Sequence, residues 1–196
     1  MPRRGLDRRQ VIDAAVAIAD TEGLDAVTLA RVAESLGVRP PSLYHHGAGH
    51  DGLLRAIALR GVGELTTALR AAALGRAGTE ALAATAHAYR EYAHAHPGVY
   101  AATLRAAAPG DTEHEEAGRA AVEVVAAVLR AWHLEDDEML HAVRVIRSAL
   151  HGFVSLEAGG GFGLPLDRDR SFERLIETLA AGLPLMKPSA VPIPER

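Results

Sequence analysis

The chain has 196 residues with 21 Lys+Arg against 25 Asp+Glu, a formal net charge of −4, 48% hydrophobic residues, 4% aromatics and no cysteine. The missing cysteine excludes disulfides and thiolate metal sites. No run approaches the roughly 18 apolar residues of a membrane span, and the N-terminus lacks the apolar core of a signal peptide, so the expectation is a cytoplasmic protein with no membrane partner.

Alanine-rich, aromatic-poor composition favours packed helices over strands, and the expected fold class is all-α with about nine helices. The charge is unevenly placed. Residues 1–60 hold eight Arg against seven acids, leaving −5 for the remainder. Arg3, Arg4, Arg8 and Arg9 cluster at the start, and phosphate attraction acts through such local charge because salt screens beyond roughly 8–10 Å. Only the N-terminal part therefore suits nucleic acid.

Residues 2–6 read as a flexible arm, whose Arg3 and Arg4 serve either as phosphate contacts or as a solubilising tail. Asp7 caps a helix to about Thr21 with Val11, Ala15, Ile18 and Ala19 inward, and Gly23 ends it. Leu24 and Val27 anchor the link into Thr28. Leu29, Val32, Ala33 and Leu36 then recur at i, i+3, i+4, i+7, one buried helical face. Thr28 is placed to cap this helix, and Gly37 supplies a left-handed turn. Val38 plugs the turn, Pro40-Pro41 suits a helix start, and a short helix from Ser42 to His46 buries Leu43 while turning Tyr44 and His45 outward. Two short helices on a tight glycine turn are a shape that reads DNA, the second helix in the major groove.

The pattern T-L-A-x-V-A-x-x-L-G-V-x-x-x-S-L-Y-x-H, about 25 residues behind a basic N-terminus, resembles the DNA-binding domain of the tetracycline-repressor (TetR) family over roughly residues 7–60. The resemblance implies a three-helix helix-turn-helix domain at 1–50. Arg39, Pro40, Ser42, Tyr44 and His45 would face bases, with Thr28, His46, Arg3 and Arg4 on phosphates. The segment Gly47-Ala48-Gly49-His50-Asp51-Gly52 departs from the family, which usually has a bulky apolar residue and then a lysine. His50 stands at the lysine position, a weaker phosphate partner when neutral. Ala30 also stands where relatives place a polar contact, with Arg31 beside it as a substitute.

From Asp51 the chain reads as helix almost throughout. A connector runs to about Leu74, with Gly61 and Gly63 as bends, and Gly75 to Gly78 breaks it. Further helices cover Thr79–His96, then Pro97–Ala107 with Tyr100 and Leu104 on one side, then a span from Asp111 or Thr112 to Trp132. Glu135-Asp136-Asp137-Glu138 heads the next helix, favoured by its positive end. That helix reaches about Ala158, and after a glycine-rich loop the last covers Asp169 to Leu183. Residues 51–185 form one helical domain in this reading, and 186–196 a flexible tail.

From about Tyr89 the pieces Y-x-x-Y-A-x-x-H-P-G-x-Y, A-L-H-G-F-V-S-L-E, G-G-F-G-L-P and S-F-E-R-L-I resemble, in order, a WHG-type ligand-binding domain of the same family. Arg147-Ser148 replaces the Trp often found before its His-Gly. Tyr92, Tyr100, Arg105, Trp132 and Phe162 are candidate walls for a small-molecule effector, and Arg147 and His151 share a helix face at i, i+4. Ordinary core packing is the alternative for each. Few aromatics imply a mainly aliphatic pocket and a hydrophobic or amphipathic effector. The apolar faces Leu150, Val154 and Phe172, Leu175, Ile176, Leu179 either pair with a second copy, as in the family, or close the monomer core.

Ten histidines raise a metal site, but ligand pairs on a helix need i, i+3 or i+4 spacing. His87 and His94 lie about 10 Å apart along their face, too far to chelate alone, so no metal or other cofactor is expected. No nucleophile elbow or phosphate cradle stands in a suitable context, so an enzyme is not expected. The resulting expectation is a homodimeric, ligand-responsive regulator that is released as a repressor from a palindromic double-stranded DNA operator. A ligand- or partner-binding module with a weakened reader is the alternative. The sequence names neither ligand nor operator, nor whether ligand releases or promotes DNA binding.

Overall fold

The computed structural model describes residues 6–44 and 49–186. Helix is the regular structure throughout them: α1 (Arg8–Glu22), α2 (Leu29–Ser35), α3 (Pro41–Tyr44), α4 (His50–Ala73), α5 (Gly78–Ala95), α6 (Pro97–Ala102), α7 (Thr112–Leu129), α8 (Asp136–Ala158) and α9 (Arg168–Gly182), with 3-10 turns at Leu24–Ala26, Arg130–Trp132 and Leu183–Leu185. The expected all-α class is the class adopted. Among the described residues no helix is long and apolar enough to cross a membrane.

Local chemistry sets the helix ends. The Asp7 carboxylate accepts from the Gln10 N–H at 2.8 Å while Gln10 Oε1 accepts from the Asp7 N–H at 3.0 Å, a reciprocal capping box at the head of α1. Thr28 Oγ1 accepts from the Arg31 N–H at 3.1 Å and starts α2. Gly37 takes φ of 65°, and its turn returns the Val38 N–H to the Ala33 carbonyl.

Two compact units emerge. One holds the described residues up to Leu65 together with Ala95–Gly118; the other holds Thr66–His94 together with the described residues from Arg119 onward. In the first, α1 buries Val11, Ala15, Ile18 and Ala19, and Val32, Ala33, Leu43, Ile57 and Val99 are buried with them. Gly98 brings α6 against α1 so closely that a Cβ there would fall 1.8 Å from the Ala19 carbonyl oxygen. Asp20 secures the contact from α1: its Oδ1 accepts the Val99 N–H at 2.9 Å and its Oδ2 lies 3.0 Å from His96 Nδ1. Asp20 thus satisfies a first-turn donor of α6 that the helix's own flanking residue, His96, does not cap.

α4 runs as one continuous helix through Gly61 and Gly63, where bends were expected. Gly61 instead marks a close approach, since a Cβ there would lie 2.7 Å from side-chain carbons of Val99 and Thr103. α6 ends at Ala102, well before Ala107, and Leu104 is 41% exposed instead of sharing the buried side of Tyr100. A bidentate pair then ties the α4 and α7 starts, with Arg55 Nε and Nη2 at 2.5 and 2.6 Å from the Asp111 carboxylate and Nη2 at 2.8 Å from Glu113.

In the second unit, a charged cluster joins α5, α8 and α9. The Arg90 guanidinium grips Glu157 at 2.8 and 2.5 Å, reaches Asp169 at 2.8 Å, and lies 4.9 and 5.6 Å from the ring centres of Phe172 and Phe153. His94 Nε2 adds a 2.8 Å contact to Glu157, and His87 Nε2 meets Glu173 at 2.8 Å. Phe172 is fully buried beside this cluster, a contribution of about 1.5–3 kcal/mol for a large apolar side chain.

Candidate nucleic-acid interface

The interface is built on α2, the Gly37 turn and α3. Burial of Val32, Ala33 and Leu43 fixes the inner side of this hairpin, and by difference Ala30, Arg39, Pro40 and Ser42 are exposed. The Arg39 carbonyl accepts from the Ser42 N–H at 2.9 Å and the Pro40 carbonyl from the Leu43 N–H at 3.0 Å, so the helix entry is closed by backbone bonds. That leaves the Arg39 and Ser42 side chains free to address a base or phosphate without unwinding the turn. Thr28 is exposed and uses its hydroxyl oxygen as an acceptor for the α2 cap. His50 is exposed as the first residue of α4, where the helix start favours an anion.

Tyr44 closes α3, but its side chain, together with Arg3, Arg4, His45 and His46, lies outside the described residues. Arg31, read from sequence as a substitute contact for Ala30, is engaged within the chain. Its Nε and Nη2 meet Glu22 at 3.0 and 2.7 Å, and Nη1 meets Glu34 at 3.4 Å. The hydrogen bond to Glu22 raises the Arg31 pKa and lowers that of Glu22. This arginine braces α2 against the end of α1. Sequence reasoning missed that role, although the opposite charges at 22 and 31 were its visible signal.

The seven ligand candidates fall in both units. Tyr100, on α6, is buried and Arg105, just beyond it, is exposed, both in the first unit. In the second, Tyr92 is buried, Trp132 and His151 are half-buried, and Arg147 is exposed. His151 Nδ1 lies 3.3 Å from Ser155 Oγ, one turn along α8. Phe162 packs its ring on Phe153 at 4.9 Å, beside the Arg90 cluster. The Arg90 cluster itself went unread. Hydrogen bonding to Arg90 holds the Glu157 carboxyl below its ordinary pKa.

The six residues expected on a dimer face divide. Leu150, Val154, Phe172 and Ile176 are buried within the single chain, which is the core alternative, while Leu175 and Leu179 are half-exposed. The outward side of α8 instead presents Val145 and Leu156, 49% and 52% exposed, in line with Ser148 and Gly152. Helical periodicity identified apolar faces but could not tell which of two neighbours each would meet. Among the described residues no group of three or more His, Asp or Glu is placed to hold a metal ion.

Comparison with known proteins adds independent findings. Residues 11–57 match the family model described as bacterial regulatory proteins, tetR family, and residues 82–179 match the tetracyclin repressor-like, C-terminal domain. An uncharacterised HTH-type transcriptional regulator of Mycobacterium tuberculosis, Rv0681, is 38% identical over 91% of this chain and 82% of its own length. YobS of Bacillus subtilis, another uncharacterised HTH-type transcriptional regulator, is 34% identical over 93% of this chain and 95% of its own. A solved structure of a Rhodococcus protein of unknown function superposes with a TM-score of 0.78 at 25% identity, covering 93% of this chain and 98% of that one.

Proposed function

Because the chain belongs to the tetR family of bacterial regulatory proteins, and is thereby a DNA-binding transcriptional regulator, we propose that it acts as a homodimeric repressor released from a palindromic operator by a small hydrophobic or amphipathic molecule. The observation that carries the reading is the exposed edge of the hairpin, Arg39, Pro40 and Ser42, held by a buried Leu43 and a closed helix entry. One such reader makes few contacts, and a two-fold pair reading two half-sites supplies the rest.

A pair of copies would meet through the outward side of α8, Val145, Ser148, Gly152 and Leu156, with Leu175 and Leu179 of α9 alongside. Serine and glycine at the middle of that line let helices approach closely. Effector binding would work by population shift, favouring one spacing of the two readers over another. Tyr92, Trp132, Arg147, His151 and Phe162 are the second-unit candidates for effector contact, and Tyr100 and Arg105 are separate candidates within the first unit. In this proposal residues 1–50 serve as the DNA-binding part and residues 51–185 as the ligand-binding and dimerisation part.

The test is fluorescence anisotropy of the purified protein on DNA from upstream of its own gene, over a salt series. Specific binding is expected to weaken steeply as salt rises. Arg39→Ala and Tyr44→Ala should each cost about 1–3 kcal/mol per half-site, the size of one good base contact. His50→Lys should tighten binding to all sequences and steepen the salt slope by roughly one unit per half-site. Equal binding to random DNA, indifferent to all three substitutions, would favour a binding module with a weakened reader.

A further inference from the structure

The ends of α4 and α7 flank a cleft of about 450 Å³ that none of the candidate residues above lines. Its openness follows from residue size. Ala73, Ala77, Ala81 and Ala127, with Gly75 and Gly78, carry a methyl group or nothing at half of the lining positions. Helices hold the opposing backbones in place while no side chain fills the space between them. The remaining walls are apolar: Leu74, Val124 and Val128 line the cleft, and Leu74 is 80% exposed. A leucine left in water beside an unfilled apolar cleft is surface that a bound apolar body would cover.

The charges on the rim define the other end of such a molecule. Arg76 is occupied, donating from Nη1 to the Ala72 carbonyl at 2.8 Å and lying 3.4 Å from Glu80. Arg70 has no carboxylate partner among the described residues, and α4 offers it none one turn away, where Thr66, Thr67, Ala73 and Leu74 stand. Glu123 shares the rim from α7, and its negative charge disfavours a second anionic group nearby. An apolar cleft with one free guanidinium and one carboxylate fits a single negative charge on an apolar body.

We propose that this cleft binds a small amphipathic monocarboxylate, with its apolar body between α4 and α7 and its carboxylate on the Arg70 guanidinium. The site does not depend on whether DNA binding responds to it, and it is tested by binding alone.

Titration calorimetry of the full chain with decanoate, below its aggregation concentration, should give saturable binding of one molecule per chain. Decan-1-ol, with the same apolar body, should bind about tenfold or more weakly, the loss of one charge-assisted contact. Arg70→Gln should bring decanoate down to the level of decan-1-ol without changing decan-1-ol itself. Ala127→Phe, at an exposed lining position, should fill the cleft and abolish both while leaving the thermal midpoint unchanged or higher; Ala77→Leu repeats the test if that variant is unstable. Absence of decanoate binding, indifference to Arg70→Gln, or full binding by a folded filled-cleft variant would each overturn the proposal. Operator affinity with decanoate present is a separate reading: bound ligand without release would sink the effector role and leave the site intact.

Discussion

Replacing Gly98 with alanine should be among the most damaging single-methyl changes in the chain. The added Cβ would lie 1.8 Å from the Ala19 oxygen, 2.1 Å from its carbonyl carbon and 2.8 Å from the Asp20 nitrogen, all backbone atoms that no rotamer change can move. Ordinary contact begins at 3.4 Å, so α1 and α6 must part by roughly 1.6 Å. Overpacking of this kind costs about 1–3 kcal/mol. The same displacement breaks the 2.9 Å bond from the Val99 N–H to Asp20, worth about 1.5–3 kcal/mol because the acceptor is charged. A total of about 2.5–6 kcal/mol is expected. The control is Gly63→Ala in α4, where nothing lies within 4 Å of the new methyl; helix propensity should there stabilise by about 0.5–1 kcal/mol. Urea unfolding followed by circular dichroism, at one fixed protein concentration, gives both values from shifts in midpoint at constant slope. A neutral Gly98→Ala, or two variants shifted in the same direction, would refute the close-packing argument.

Arg90→Leu should destabilise by about 3–5 kcal/mol, because it takes the bidentate partner from the Glu157 carboxylate, whose side chain is only 7% exposed, and leaves it the His94 contact alone; the double change Arg90→Met with Glu157→Leu should recover most of that loss in the same urea assay. Three carboxyls are depressed: hydrogen bonding to Arg55 lowers Asp111 to about 2, and hydrogen bonding to Arg90 and Arg31 lowers Glu157 and Glu22 from their ordinary 4.5. Their stabilisation is complete above the unfolded-state values and lost as pH falls through the folded ones. Thermal midpoints should therefore fall below about pH 4.5, and Asp111→Asn should flatten the lower end, toward pH 2. On α8, Val145→Glu with Leu156→Glu should halve the sedimenting mass while leaving the helical signal intact. A folded double variant that remains dimeric would remove that face from the interface.

Much of the fold was legible because helix ends are local events. Asp7, Gly23, Thr28 and Gly37 each act within a few residues of themselves, and all four do what their residue types dictate. Leu43 was placed inward for the same reason, as the apolar residue of a short helix whose other side is polar. What stayed hidden depended on partners distant in sequence. Gly61 looked like a bend because a glycine inside a helix weakens it, yet its reason is a neighbour on α6. Leu150 and Phe172 looked like interface because periodicity marks a face without saying what covers it. Arg31 looked free for DNA, while Glu22, nine positions earlier, had already claimed it.

The seat of α6 on α1 has a consequence for biosynthesis. Residues 79 positions apart are bonded there, so the reading hairpin belongs to a unit that the chain completes only after α6 has been made. Once Leu65 has been added, roughly forty further residues must follow before Ala102 exists, which at about 5–20 residues per second is several seconds of translation. Through that interval the α1 surface around Ala19 and Asp20 stands uncovered in the nascent chain. Anyone cutting out a minimal reader should therefore splice residues 95–118 back onto the first 65, since a fragment ending at Leu65 would leave that surface open to water.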